Sequence, residues 1–327
     1  MNLQFWKRSD PVPGPGDEGW EKSLVDRLVM ESLREQRRGR RWGIFFKLLG
    51  FAYLIALLVM LWPDDVMKGV KPDEEHTAVI DVKGIIAPGT QAGADDVVTA
   101  LRKAYEDDNT KGIVLRINSP GGSPVQAGYI NDEIRRLRKK HEDIPVYAVV
   151  ADLCASGGYY IAVAADEIYV NKASLVGSIG VRIDSFGFEQ AMEEIGIERR
   201  LLTAGENKGI PDPFSPLPEE QREFLESMLE QIHRQFIDVV KEGRGDRLAG
   251  GDELFSGLIW TGEESLSLGL ADAFGSTSYV AREVIGAEKT VEFTAEKDLL
   301  QRLADRLGAA VARALLELSG SRYPMLR

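Results

Sequence analysis

Asp152-Leu-Cys-Ala-Ser-Gly-Gly-Tyr-Tyr160 decides the fold when it is set beside Asn118-Ser-Pro-Gly-Gly122. Each stretch places a glycine pair between an apolar β-type run and a helical pattern. The first unit runs from Gly112-Ile-Val-Leu-Arg-Ile117 through Gly121-Gly122 into a helical stretch from Val125 to Lys140. The second runs from Pro145-Val-Tyr-Ala-Val-Val150 through Ser156-Gly157-Gly158 into Tyr159 to Ala165. Two strand–Gly-Gly–helix units predict exposed backbone N–H groups at the strand ends, where helix N-termini already favour negative charge. Paired N–H groups of that kind stabilise an oxyanion, and Ser156 stands beside one pair. This is the outline of an acyl-transfer site.

Outward from these units the alternation continues. A β-type run at Thr77-Ala-Val-Ile-Asp-Val82 precedes them, and helical patterns recur at Asp95–Tyr105, Phe188–Ile195 and Pro218–Lys241. Strands alternating with helices on this scale predict an α/β fold with mostly parallel strands. No repeat of solenoid length interrupts it. The tail from Lys297 to Leu318 carries Leu299, Leu300, Leu303, Leu307, Val311, Leu315 and Leu318 at helical spacing. It reads as an amphipathic helix that lies on a membrane or packs on the domain or a neighbour.

The N-terminal part reads differently. Residues 1–18 are rich in Pro, Gly and acid and predict disorder, and a short amphipathic pattern follows from Trp20 to Leu33. Arg37, Arg38, Arg40 and Arg41 then precede the apolar run from Gly43 to Trp62, which ends at Pro63-Asp64-Asp65. A run of about 20 apolar residues fits a bilayer, and Lys47 near its start can snorkel. The arginine cluster places the N-terminus in the cytoplasm and everything after Trp62 outside. Val66 to Glu75 reads as a polar tether.

The chain has 327 residues and a formal net charge of -12, which argues against a nucleic-acid partner. Its one cysteine, Cys154, allows no intrachain disulfide. With only His76, His141 and His233 beside it, the usual zinc spacings are excluded.

Ser123 before Pro124 reads as an N-cap with proline at the first helical position, and Ser119 before Pro120 as a turn former. Ser156 has two readings, an N-cap or a nucleophile, and its small neighbours Ala155, Gly157 and Gly158 suit close approach of a substrate. A nucleophilic serine needs a base. His141 lies in a charge run, His233 in a long helical pattern and His76 in the tether, so a Ser-His-Asp site is not indicated. A lysine serves if burial leaves its amine neutral. Lys172, at the end of a strand pattern, and Lys208, in Ala204-Gly-Glu-Asn-Lys-Gly209, are the candidates.

The span from about Thr77 to Ala287 resembles the bacterial signal peptide peptidase A family of serine–lysine membrane peptidases. The resemblance rests on Asn118–Gly122, Ala155–Tyr160, Leu175-Val-Gly-Ser-Ile-Gly180, the Lys208 loop and Gly257-Leu-Ile-Trp-Thr-Gly262, in that order. It implies a Clp protease/crotonase-like fold, with Ser156 as nucleophile and Lys208 as general base. It further implies that Ser178 orients the lysine and that the N–H groups of Gly122 and Gly157 form the oxyanion hole. Where the family often has an aromatic residue before the lysine, this chain has Asn207.

The expected organisation is a cytoplasmic segment 1–41, a transmembrane helix 43–62, a tether 63–76, a peptidase domain 77–290 and a helical tail 291–327. No metal or cofactor is required. Expected partners are peptide substrates, remnant signal peptides first among them, membrane lipid and further copies of the chain. One copy of the domain, where longer family members carry two, implies a ring in which Lys208 of one protomer reaches Ser156 of the next. A same-family protease directed at one membrane protein, a crotonase-type acyl-CoA enzyme and a non-catalytic scaffold are the rival readings.

Overall fold

The computed structural model describes residues 20–60 and 74–294. The predicted disorder of 1–18, most of the tether and the tail beyond Thr294 lie outside the described residues. Contacts divide the chain into two units, Met1–Val70 and Lys71–Arg327.

The described part of the first unit is one continuous helix, α1 (Trp20–Met60), where the sequence suggested two separate pieces. Its described side chains between Glu35 and Ile55 are all exposed, Phe51 and Tyr53 among them. Among the described residues no helix is long and apolar enough to cross a membrane. The predicted 43–62 segment runs past the end of the described residues.

The second unit is α/β. Its sheet runs β6 (Ile259–Thr261), β5 (Leu175–Gly177), β3 (Val146–Ala155), β2 (Thr110–Ser119), β1 (His76–Lys83) and β8 (Thr290–Glu292), with β4 (Glu167–Val170) beside β3 and β7 (Ala273–Phe274) beside β4. Every pairing is parallel except β5 with β6. β1, β2 and the first half of β3 are near-continuous apolar runs because most of both faces is covered there, as in parallel sheets generally. His76 is not in the tether. It opens β1 fully buried, its ring within 3.4 Å of Thr110 Oγ1. At the other end, β8 draws the first residues of the predicted tail into the sheet beside β1.

Helices α2 (Ala94–Tyr105), α3 (Pro124–Lys140), α4 (Gly157–Ala162) and α6 (Glu219–Arg244) accompany the sheet, with the short α5 (Glu189–Glu194) between the last two in the chain. Ile80, Leu115, Ile130, Ile134 and Tyr159 form the centre of the larger core. A smaller core on the other face gathers Val79, Val114, Val149, Tyr169 and Val280. Ser123 caps α3 as expected, accepting from the Gln126 amide, and Arg138, Lys139 and Lys140 fall in its last turn, where they suit the helix dipole.

The end of α6 is tied by Arg244, whose side chain is 1% exposed. It donates two hydrogen bonds to Asp272, at 2.7 and 2.8 Å, and one to the Gly269 carbonyl. Asp272 in turn accepts from the Ile168 amide, so the buried charge is fully paired.

β3 changes neighbours midway. Its first half pairs with β4 (Tyr147 to Val149) and its last residues pair with β5 (Leu153 to Ala155). The fork brings the turns after β2, β3 and β5 to one place, and that place is the site.

Candidate active site

At the end of β3 the chain reverses at Ser156 into α4. Ser156 has φ 53° and ψ -121°, a left-handed conformation that costs a non-glycine residue about 1–3 kcal/mol. Two backbone bonds hold it there. Its amide donates to the Gly177 carbonyl at 2.8 Å, and its carbonyl accepts from the Tyr160 amide at 2.9 Å.

Ser156 stands at the N-cap position of α4, but its side chain makes no capping bond. A capping serine takes extended backbone and accepts from the first turn, as Ser123 does. The N-cap reading therefore fails, and the half-buried hydroxyl is left without a hydrogen-bond partner among the described residues.

The Gly121-Gly122 turn lies directly against it. A Cβ on Gly121 would sit 2.7 Å from both the Gly157 nitrogen and Ser156 Cβ, and Gly121 has φ 96°. A Cβ on Gly122 would collide with the Ile86 carbonyl. Only glycine allows the two turns this approach. Gly122 bridges Ile86 through its neighbours, since Ile86 donates to the Gly121 carbonyl and accepts from the Ser123 amide. The Gly122 N–H is thereby turned away from Ile86. Its nitrogen lies 3.3 Å from where a Cβ on Gly157 would be. The amides of Gly122 and Gly157 have no acceptor among the described residues.

Ser119, buried, fixes this turn as the sequence suggested: it donates to the Gly84 carbonyl at 2.6 Å and accepts from the Gly121 amide. Asn118 donates to Asp152 at 2.9 Å and ties the ends of β2 and β3.

Ser178 follows the Gly177 carbonyl that holds Ser156. It too has φ 53°, and among the described residues these two serines are the only non-glycines at positive φ. Leu258, next to β6, accepts from the Ser178 amide at 2.7 Å. From α6, the His233 ring lies 3.1 Å from the Ile179 carbonyl. His233 was readable only as a helix residue, and its position against the Ser178 loop depends on a long-range contact that no local pattern records.

The structure thus brings together Gly122, Ser156, Gly157 and Ser178. Among the described residues no hydrogen bond or ion pair links Lys208 to them. It occupies an exposed turn, its amide bonded to the Gly205 carbonyl, and its ammonium makes no ion pair or hydrogen bond among the described residues. Lys172 is also exposed, with its ammonium 5.6 Å from the centre of the Phe274 ring. Cys154, two residues from Ser156, is fully buried, and burial pushes its thiol pKa up. Among the described residues no group of three or more His, Cys, Asp or Glu is placed to hold a metal ion.

Comparison with known proteins gives this arrangement a context. The model for Peptidase family S49 matches residues 138–292, a span that includes Ser156, Ser178 and Lys208. The putative protease slr0021 of Synechocystis is 32% identical over 66% of this chain and 74% of its own length. The putative signal peptide peptidase SppA of Enterococcus faecium is 29% identical over 60% of this chain and 59% of its own. The Na(+)/H(+) antiporter NhaA of Brucella abortus is 46% identical over 57% of this chain, which spans 25% of that protein. The order of motifs, the match over the serine-bearing half and the coverage of the Synechocystis protein lead to one conclusion: this chain belongs to peptidase family S49, the signal peptide peptidase A family.

Proposed function

We propose that the chain is a membrane-anchored serine endopeptidase with a Ser156–Lys208 dyad, acting on remnant signal peptides or other membrane-associated peptides in extended form. One observation carries the reading. Ser156 is held in a strained conformation, and among the described residues its hydroxyl has no hydrogen-bond partner and the two backbone amides beside it lack acceptors. Strain of this kind is retained where the surrounding structure pays for a function.

In the proposed reaction, Lys208 in its neutral form takes the Ser156 proton as Oγ attacks the peptide carbonyl. The N–H groups of Gly122 and Gly157 receive the developing oxyanion. Lys208 then passes the proton to the leaving amine, and the acyl-enzyme forms. A water, deprotonated by Lys208, releases the acyl group and restores the Ser156 hydroxyl. Ser178, next to the carbonyl that holds Ser156, orients the lysine. The chemistry needs no metal or cofactor. The Gly-Gly turns at the ends of neighbouring parallel strands support a Clp protease/crotonase-like arrangement.

The exposure of Lys208, whose ammonium has no bonded partner among the described residues, supports a shared site. No residue from 180 to 235 is buried, and Phe186, Ile195 and Leu202 on this arm are 74%, 70% and 95% exposed. An apolar surface of that extent fits contact with further copies of the chain. A head-to-tail contact closes into a ring when its rotation permits, and it would desolvate the lysine against the neighbour's Ser156. The 43–62 segment, behind Arg37–Arg41, serves as the single-pass anchor and leaves the peptidase domain extracytoplasmic.

A serine-directed fluorophosphonate should label the protein, and Ser156→Ala should remove both labelling and peptide cleavage. Labelling that survives in the alanine variant overturns the assignment. Co-expressed Ser156→Ala and Lys208→Ala chains should regain activity, because about a quarter of the shared sites in randomly mixed rings pair an intact serine with an intact lysine. Well-mixed but inactive rings mean that each site lies within one chain.

A further inference from the structure

The sheet face opposite Ser156 and its helices is only partly covered. The helical stretch Thr277–Tyr279 and Val280–Ile285 packs on Val79, Val114 and Val149. Beyond it a groove of about 930 Å³ remains open, walled by Val150, Ala151, Lys172, Leu175, Phe274 and Tyr279. Leu175, Phe274 and Tyr279 are each about 40% exposed there. No step of the proposed reaction uses this groove.

The path of the chain points to its occupant. After β8, the Phe293 amide donates to the Val79 carbonyl and Thr294 Oγ1 accepts from the Asp81 amide at 2.7 Å. The described chain therefore ends alongside β1. Asp81 is bonded to Arg116 on the adjacent β2, and Arg116 also reaches Glu292 at 3.1 Å. Arg116 is itself part of the groove wall. Two strand spacings separate the exit from the groove, about 10 Å. The four residues Ala295 to Asp298 span about 13 Å when extended, enough to bring Leu299 to the rim. From there Leu299, Leu300, Leu303 and Leu307 recur at helical spacing.

We propose that residues 299–307 dock their apolar stripe into this groove of their own chain. The leucines would cover Phe274, Tyr279 and Leu175. The last of these belongs to β5, which pairs with β3, the strand that leads into Ser156. The docking site stands whether or not Ser156 is the nucleophile.

Cross-linking in the full chain tests the proposal, since the native Cys154 is buried and silent. Lys172→Cys is combined in turn with Leu299→Cys, Leu303→Cys and Leu307→Cys under mild oxidation. At least one pair should form a disulfide within a single chain. Links found only between chains would make a second copy the occupant. Free thiols that all react with maleimide but never link would place the segment elsewhere. Either result overturns the proposal.

A second measurement avoids new thiols. Phe274→Asp should speed tryptic cleavage after Arg302 and Arg306 about tenfold. Phe224→Asp, the same change at a more exposed phenylalanine on α6, should leave it unchanged. Equal rates in the wild-type and Phe274→Asp proteins, or protection that appears only on adding phosphatidylglycerol vesicles, also overturn it.

Discussion

The turns around Ser156 and the arm from 181 to 217 are built on opposite principles. Around Ser156 the neighbours are backbone. Gly177 fixes its amide, Tyr160 its carbonyl, and Gly121 closes in where no side chain would fit. On the arm the contacts are few and lateral. Arg199 pairs with Asp212 at 2.8 Å and lies 5.2 Å from the Phe214 ring, while Leu202 stands almost wholly in solvent. The half of the proposed site that carries Ser156 is fixed by backbone contacts within one chain. The half that carries the proposed base is an exposed arm in which no described residue from 181 to 217 is buried.

The contrast breaks most sharply at the two lysines. If the base comes from the arm, Lys208→Ala should cut peptide hydrolysis at least about a thousandfold. Lys172→Ala should leave it within about twofold, since Lys172 faces the groove on the other side of the sheet. The reverse result in a steady-state peptidase assay would move the base to Lys172.

Next in size is Gly121→Ala, which tests the rigid half. The added methyl must displace Ser156 or the Gly157 amide, at a backbone angle that disfavours alanine. Fluorophosphonate labelling should slow about a hundredfold, and urea unfolding should show a loss of about 1–3 kcal/mol. A variant that labels at the normal rate would show that the turns need not touch.

The arm answers to a different measurement. Ile195→Asp with Leu202→Asp should dissociate the assembly in sedimentation velocity and reduce hydrolysis about tenfold or more. The unfolding free energy of the separated chain should stay within about 0.5 kcal/mol. An intact assembly would sharpen the comparison differently, by moving the interface off the arm.

The smallest effect lies in the helical layer of the rigid half. Glu133 bonds Arg136 and Arg102 at 2.7 Å with its side chain 10% exposed, and the Arg136 bond above all lowers its pKa to about 2. A carboxylate depressed in the folded state stabilises the fold above its unfolded pKa. That contribution is lost as pH falls through the folded value, here between about 4.5 and 2. Both arginines are half-exposed, so the contribution is about 1–2 kcal/mol. Glu133→Gln should be less stable than wild type by that amount at pH 7 and approach it toward pH 2 in chemical denaturation. Parallel curves across that range would show that the ion pair contributes nothing.

The rigid half was also the legible half. Glycine pairs after apolar runs, Ser123 before Pro124 and the helical spacing of 125–140 each encode local geometry, and the structure has them in place. What could not be read was long-range. The φ of Ser156 depends on the Gly177 carbonyl from β5, and β5 owes its place to an antiparallel partner more than eighty residues later. His76 looked like part of a tether because Glu74 and Glu75 precede it, yet Thr110 and the stacked Phe293 ring draw it into the sheet. On the arm the helical spacing of 188–195 was legible and Glu189–Glu194 is a helix, but the rest gave a weak signal because none of its described residues is buried.

Helix α6 joins the two halves, and its anchoring has a mechanical consequence. Its 26 residues span about 39 Å, yet only Phe236, Val240 and Arg244, all near one end, are buried. The Arg244–Asp272 pair acts as a clamp, and the rest of the helix is a cantilever whose free end feeds the arm. Its length and phase then set the pitch between the fixed serine and whatever the arm engages. One residue inserted in the exposed stretch near Glu226 would advance the free end about 1.5 Å and turn it by about 100°. If the arm docks on a neighbouring copy as proposed, the helix works as a caliper, and its residue count between Pro218 and Phe236 becomes a dimension of that contact.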